Sequence, residues 1–299
     1  MKILIIGSKG FIGSHALHFF STRHETWGCD VFTDYNEENF FLIDTLSPSY
    51  HSLFQKTDFD VCINCAGAAS VPDSLKHPER DYELNTHLVF KLLNSIRQFS
   101  PSCKFINISS AAVYGNPKAL PIVETQSPAP VSPYGMHKLY AEQLCDEFAR
   151  HFKVHACSLR VFSAYGPGLR KQIFWDLFLK ARKSNRVELF GTGEETRDYI
   201  YVSDIVSTLN TLVHHAPCDG ESYNVASGKS YTLKEIASHF YTCLGWDGTL
   251  TFSGQKRAGD PDFWEADISK LKGLGFVPQV TIEEGIKKYA EWVSSVPLD

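Results

Sequence analysis

Short apolar runs alternate with amphipathic stretches along the first half of the chain. Runs rich in β-type residues at 3–6, 26–31, 39–42, 60–65, 104–109 and 155–161 predict strands. Between several of them apolar residues recur every three or four positions, which predicts helices. Strands separated by helices lie parallel, with helices on both faces of one sheet, so the fold class is α/β with a doubly wound parallel sheet. Beyond about residue 166 the alternation weakens. Short strands at 187–190 and 222–225 mix with helices near 203–214, 232–243 and 281–293. The pattern divides the chain into a sheet-forming part over 1–166 and a smaller mixed α/β lobe over 167–299, with the chain crossing between the two near 190–230. Glycine- and proline-containing segments at 116–133 and 245–261 are expected to be ordered surface loops.

Composition narrows the class without changing this picture. The 299 residues are 43% apolar and 21% charged, the values of a folded chain, and have room for two domains. A net charge of −5 argues against nucleic acid as a partner. No apolar run approaches the ~18 residues of a membrane span, and the apolar stretch before Gly7 is too short for a signal peptide. A cytoplasmic protein with no membrane partner is expected. The eight cysteines are scattered through apolar contexts and are expected to be reduced thiols. Cys62-Ile63-Asn64-Cys65 falls inside an apolar strand pattern with no second such pair, so it is read as structural and no metal site is expected.

Gly7-Ser8-Lys9-Gly10-Phe11-Ile12-Gly13 follows the first strand and opens the first helix. Gly7 permits a tight strand-to-helix turn, Gly10 lets backbone amides approach a pyrophosphate, and Gly13 allows close helix–strand packing. The helix N-terminus at Phe11 and Ile12 turns its partial positive charge to the phosphates. Asp30 ends the second strand, where a carboxylate accepts from the adenosine ribose hydroxyls and repels a 2′-phosphate. The pattern therefore predicts a dinucleotide site that favours NAD over NADP, with Asp34 as the competitor for the role of Asp30.

Tyr134 and Lys138 lie four apart. A helix starting near Pro133 puts both on one face, and an ammonium beside the phenol is expected to draw the tyrosine below its usual pKa of about 10, toward general-base duty. Ser109 and Ser110, at the end of the strand over 104–109, offer a hydroxyl to a reacting sugar oxygen.

Taken together, the glycine triplet, Asp30, Ser110-Ala111-Ala112-Val113-Tyr114-Gly115, Tyr134 with Lys138, the stretch from Leu159 to Pro167 and the stretch from Arg197 to Asp204 resemble an extended short-chain dehydrogenase/reductase. More narrowly, the chain resembles the NAD-dependent nucleotide-sugar epimerase/dehydratase family, from Met1 to about Val293. The resemblance implies that Tyr134 is the catalytic base, that Lys138 binds the nicotinamide ribose and tunes the tyrosine, and that Ser110 orients the substrate. It further implies that Asp44 lies near the adenine, although a strand-to-helix cap explains Asp44 as well. Ala66 and Gly67 would line the cofactor, and Asn85 matches a structural asparagine.

On the sugar-nucleotide side, Arg197 and Arg257 resemble the family's two diphosphate-binding arginines, and Asp260 its ribose-binding aspartate. Leu189 would lie along the nucleotide base. Guanidinium groups suit diphosphate because each contacts two oxygens at once. Ser163 stands where the family usually has asparagine. Ala111 and Ala112 stand where dehydratases and decarboxylases carry an acid, which demotes those branches. Trp264 falls near a position that gates N-acetylated sugars. The function these residues imply is epimerisation of a nucleotide-diphosphate sugar at carbon four through a transient 4-keto sugar. The alternative is one-way reduction of a 4-keto nucleotide sugar by NAD(P)H, and a third class is a non-enzymatic dinucleotide-binding regulator. By analogy a homodimer forms through helices that include the one carrying Tyr134, whose exposed face is not obviously apolar in sequence.

Overall fold

The computed structural model describes residues 1–32, 38–44, 49–255 and 262–297. Asp34, Arg257 and Asp260 lie outside the described residues. Strands β1 (Lys2–Ile6), β2 (Glu25–Asp30), β3 (Phe40–Leu42), β4 (Val61–Asn64), β5 (Lys104–Ser110) and β6 (Ala156–Val161) come first. They are followed by β7 (Ser163–Tyr165), β8 (Arg186–Leu189), β9 (Thr196–Tyr201), β10 (Asp219–Val225), β11 (Ser230–Thr232) and β12 (Thr249–Phe252). Among the helices, α1 (Phe11–Ser21), α2 (His51–Lys56), α3 (Val71–Lys76), α4 (Pro78–Tyr82), α5 (Leu88–Phe99) and α6 (Pro133–Phe152) belong to the first half. The second half holds α7 (Gln172–Lys183), α8 (Val202–His215), α9 (Leu233–Leu244), α10 (Ser269–Lys272) and α11 (Ile282–Ser295).

Seven strands form one sheet in the order β10-β6-β5-β4-β1-β2-β3, and every pairing in it is parallel. Central strands such as β1 and β4 are almost wholly apolar because both their faces are covered. Ile3 and Ile5 pack with Phe20 of α1 and Leu209 of α8 on one face. Leu4 and Ile6 pack with Leu53 of α2, Leu92 of α5 and Phe148 of α6 on the other. The strand order reverses between β1 and β4, which opens a crevice at their C-terminal ends.

A second core joins α7, α9 and α11 to β8 and β9 through Phe174, Phe240, Tyr289 and Tyr199. Two small sheets serve it, one ordered β11-β9-β7 and one pairing β12 with β8. The chain does not stay in this lobe after residue 166. It returns as α8, packed on α1, and as β10, which forms the edge of the large sheet beside β6. All eight cysteines are free, and Cys62 is buried on β4. Among the described residues no helix is long and apolar enough to cross a membrane.

Candidate active site

β1 runs straight into Gly7, whose φ of +76° places it in the left-handed region. A Cβ there would stand 2.6 Å from the amide nitrogen of Ala66, and one on Gly13 would stand 2.0 Å from the carbonyl oxygen of Gly7. Only hydrogen side chains let α1 start this close to the sheet. Gly10 caps α1, its carbonyl accepting from Ser14 at 2.9 Å, and Phe11 and Ile12 form the first helical turn. At the end of β2, Asp30 turns onto the same loop: Oδ2 accepts from the Lys9 amide at 2.8 Å and Oδ1 from the Val31 amide at 2.7 Å. Within the loop the Ser8 hydroxyl is buried without a hydrogen-bond partner. A cradle that any Cβ would fill, an orphaned hydroxyl and a carboxylate held at its rim fit the pyrophosphate and ribose of a dinucleotide. Ala66 and Gly67 line the adjoining cavity, whereas Asp44 is exposed just past β3 and away from that lining.

The reacting centre sits at the first turns of α6. Ser132 caps this helix by accepting from the Gly135 amide at 3.2 Å, and Pro133 occupies its first turn. Tyr134 and Lys138 consequently share one face. The Tyr134 amide donates to Ser74 Oγ of α3 at 3.1 Å, and Lys138 Nζ donates to the Ile108 carbonyl at 2.8 Å. Ser110, at the end of β5, lines the same cavity as the Tyr134 phenol and accepts from the Ala112 amide at 3.1 Å.

The expected lowering of the tyrosine is not what this arrangement produces. Burial pushes Tyr134 up to about 12, the Ser110 hydroxyl pulls the other way, and the Asp81 carboxylate pushes it up further. Burial likewise pulls Lys138 down to about 8. A low-dielectric cavity penalises the phenolate and the ammonium alike, and the ammonium is engaged with a carbonyl.

Behind these groups lies a polar network that sequence reasoning missed. Glu142, one turn beyond Lys138, accepts from Ser109 at 2.6 Å and from Arg160 Nε and Nη2 at 3.0 and 2.7 Å. Arg160 Nη1 also donates to the Tyr114 hydroxyl at 2.7 Å, and that hydroxyl donates to Asn224 at 2.7 Å. The network ties β5, α6, β6 and β10 together next to Ser110 and Lys138. An acid recurring on the buried face of α6 and an arginine within the apolar run of β6 are the signals that point to it.

Arg197 opens the sugar-facing end on β9. Its Nη1 donates to the Thr196 carbonyl at 2.8 Å, and its guanidinium carbon lies 5.8 Å from the Trp264 ring centroid. Next to it, buried Asp198 accepts from the Ser227 amide and hydroxyl and from the Gly228 and Ala266 amides; its pKa is nevertheless raised to about 6 by burial. Trp264 is fixed by donating to the Gly115 carbonyl at 3.0 Å and packs edge-on against Phe162. Ser163 lines the cavity at the start of β7, but Leu189 is buried in the core of the second lobe rather than in the cavity wall. One cavity of about 860 Å³ joins these parts, lined by Gly10, Phe11 and Ile12 at one end, Ser110, Tyr134 and Lys138 along it, and Arg197 and Trp264 at the other. Lys171 also lines it, as do His77, Arg80 and Asp81, which were not among the expected residues.

The sequence profile of the NAD dependent epimerase/dehydratase family matches residues 3–226. A Bacillus subtilis (strain 168) protein named as an uncharacterized UDP-glucose epimerase is 29% identical over 315 aligned residues covering 99% of each chain. The UDP-glucuronic acid 4-epimerase from Bacillus cereus, solved with UDP-glucuronic acid and NAD, superposes with a TM-score of 0.89 at 27% identity, covering 98% of this chain and 99% of that one. The UDP-N-acetylglucosamine 4-epimerase from Methanobrevibacter ruminantium M1, solved with UDP-N-acetylmuramic acid, gives 0.89 at 26% identity over 98% of each chain.

Proposed function

Because the chain belongs to the NAD-dependent epimerase/dehydratase family, we propose that it is a UDP-sugar 4-epimerase with NAD as its resident cofactor. The observation that carries this is a single cavity that runs from the N-terminus of α1 past Ser110, Tyr134 and Lys138 to Arg197. Gly7, Gly10 and Gly13, with the amides of Phe11 and Ile12, would hold the pyrophosphate of NAD. Asp30 would take its adenosine ribose, Ala66 and Gly67 its edge and Lys138 its nicotinamide ribose. When bound, NAD supplies the acceptor and then the donor for the hydride at carbon four of the sugar. Tyr134 takes the proton of the 4-hydroxyl and later returns it, while Ser110 holds that oxygen by a hydrogen bond. Arg197 and Arg257 would hold the diphosphate and Asp260 the nucleotide's ribose, with Ser163 as a further substrate contact, as the 4-keto sugar turns over, so binding energy is applied away from the reacting carbon.

The assembly we propose is a homodimer. The faces of α4, α5 and α6 leave Tyr82, Phe90 and Tyr140 exposed around one groove, and Met136 is exposed on α6 as well, an apolar surface that the mixed sequence of α6 does not reveal. Eight free thiols suit a reducing cytoplasm.

The test is incubation with UDP-glucose, UDP-glucuronic acid and UDP-N-acetylglucosamine without added NADH, read by NMR. The 4-epimer should form, and Tyr134→Phe should slow its formation by about 10³-fold. Absence of epimers together with stoichiometric NADH oxidation on 4-keto sugars would replace the epimerase by a reductase.

A further inference from the structure

Asp81 stands in α4 among exposed Glu79, Arg80 and Tyr82, yet it is only 3% exposed. Its Oδ1 accepts from His137 Nδ1 at 2.6 Å, while Oδ2 is buried with no hydrogen-bond partner and the residue lines the cavity. His137 lies between Tyr134 and Lys138 on α6. It is held in turn by the Thr86 hydroxyl, which donates to its carbonyl at 2.9 Å, and by Tyr82, edge-on at 5.5 Å.

A buried ammonium requires an opposite charge close by. Lys138 is 5% exposed and donates to a neutral carbonyl. Asp81 and Lys138 line the same cavity, and the titratable groups near enough to act on Lys138 are Asp81 from α4, Cys65 after β4 and Glu142 on its own helix, with Tyr134 one turn before it. Glu142 is already matched by Arg160. The Cys65 thiol and the Tyr134 phenol are both pushed up to about 12 by burial, and so are neutral. On the elements packed around the pair, Asp73 and Lys76 of α3 and Arg80 and His77 beside Asp81 are exposed and screened by solvent, and Glu83 and His87 bind each other at 2.7 Å. Among the described residues, the charge that remains to balance Lys138 is that of Asp81.

We propose that Asp81, clamped by His137, is a positioning residue whose buried negative charge balances the Lys138 ammonium and sets the pH range in which Tyr134 and Lys138 work. The proposal rests on the assignment of those two residues as the reacting pair. The carboxylate favours the ammonium, opposing the burial that pulls Lys138 down to about 8, and disfavours the phenolate, adding to the burial that lifts Tyr134 to about 12. Removing the charge therefore lowers both titrations.

The deciding measurement is the pH profile of kcat/KM on the UDP-sugar. Asp81→Asn should move both limbs to lower pH, the alkaline one by about one unit, and Asp81→Glu should restore them. An Asp81→Asn protein slowed by the same factor at every pH would overturn the proposal. Should that variant fail to fold, Asp81→Ser removes the same charge while keeping a small polar side chain, and both limbs should move the same way; unmoved limbs would again overturn the proposal. If the wild-type protein turns over no UDP-sugar, the functional assignment fails on its own. The charge balance is then read from phenolate absorbance in NAD-loaded protein, as the difference between wild type and Tyr134→Phe. Tyr134 must ionise at lower pH in the Asp81→Asn background, and an unchanged titration rejects the proposal.

Discussion

Under the proposed function the cavity has two ends that would meet phosphate by opposite means. At the α1 end the recognition surface is main chain: a helix terminus brought against the sheet by two glycines, one of which would put a Cβ 2.0 Å from a carbonyl oxygen. At the β9 end it is a side chain, Arg197, steered by hydrogen bonds to the Thr196 and Asp262 carbonyls and by the face of Trp264. A backbone site cannot be altered without moving the fold, so it suits a ligand that never changes. A side-chain site can be retuned by one substitution, so it suits the half of the reaction that distinguishes one sugar nucleotide from another.

This contrast can be broken experimentally. Gly13→Val should have the largest effect: the added carbons collide with the Gly7 carbonyl, NAD is lost, and the protein is recovered in poor yield or unfolded. Cofactor retained at wild-type stoichiometry would show that the main-chain cradle is not the binding element. Glu142→Ala tests the wall common to both ends, because it leaves Arg160 buried without its partner. Urea unfolding should show a loss of about 3–5 kcal/mol. Arg197→Ala should leave NAD bound and raise the KM for the UDP-sugar about tenfold to a hundredfold, and Arg197→Lys should recover only part because the forked contact is gone. An unchanged KM would remove the side-chain end from the comparison. Smallest is Thr232→Ala. It deletes the side-chain half of the reciprocal cap, in which the Thr232 hydroxyl accepts from the Glu235 amide at 3.1 Å, and should lower stability by about 1 kcal/mol with kcat unchanged.

The same contrast explains what sequence reveals. β1, β4, β5 and β6 are legible because a strand covered on both faces must be a continuous apolar run, and the glycine triplet is legible because only glycine fits where backbones touch. The three-residue strands β7 and β11 leave no such pattern, since their polar residues are half exposed and pairing with β9 alone defines them. β10 reads as part of the second lobe from its position, yet its partner is β6, a choice made by tertiary pairing across an intervening 57 residues. Asp81 is invisible for a different reason. Its neighbours Glu79, Arg80 and Glu83 look like a solvated helix face, and only the packing of α4 on α6 turns this one carboxylate inward.

The return of the chain to the large sheet also bears on how the bound sugar moves. The polypeptide leaves that sheet at Phe162, re-enters after Tyr201, departs again beyond Val225, and comes back through Leu271 and Phe276 before α11 closes the second core. A door hung on one pin swings freely; a panel stitched to its frame at five places swings less. The repeated crossings tie the two halves to each other along the whole cavity. Under the proposed function, the half-turn of the ketone needed for inversion is then chiefly a motion of the guest, pivoting about its anchored nucleotide.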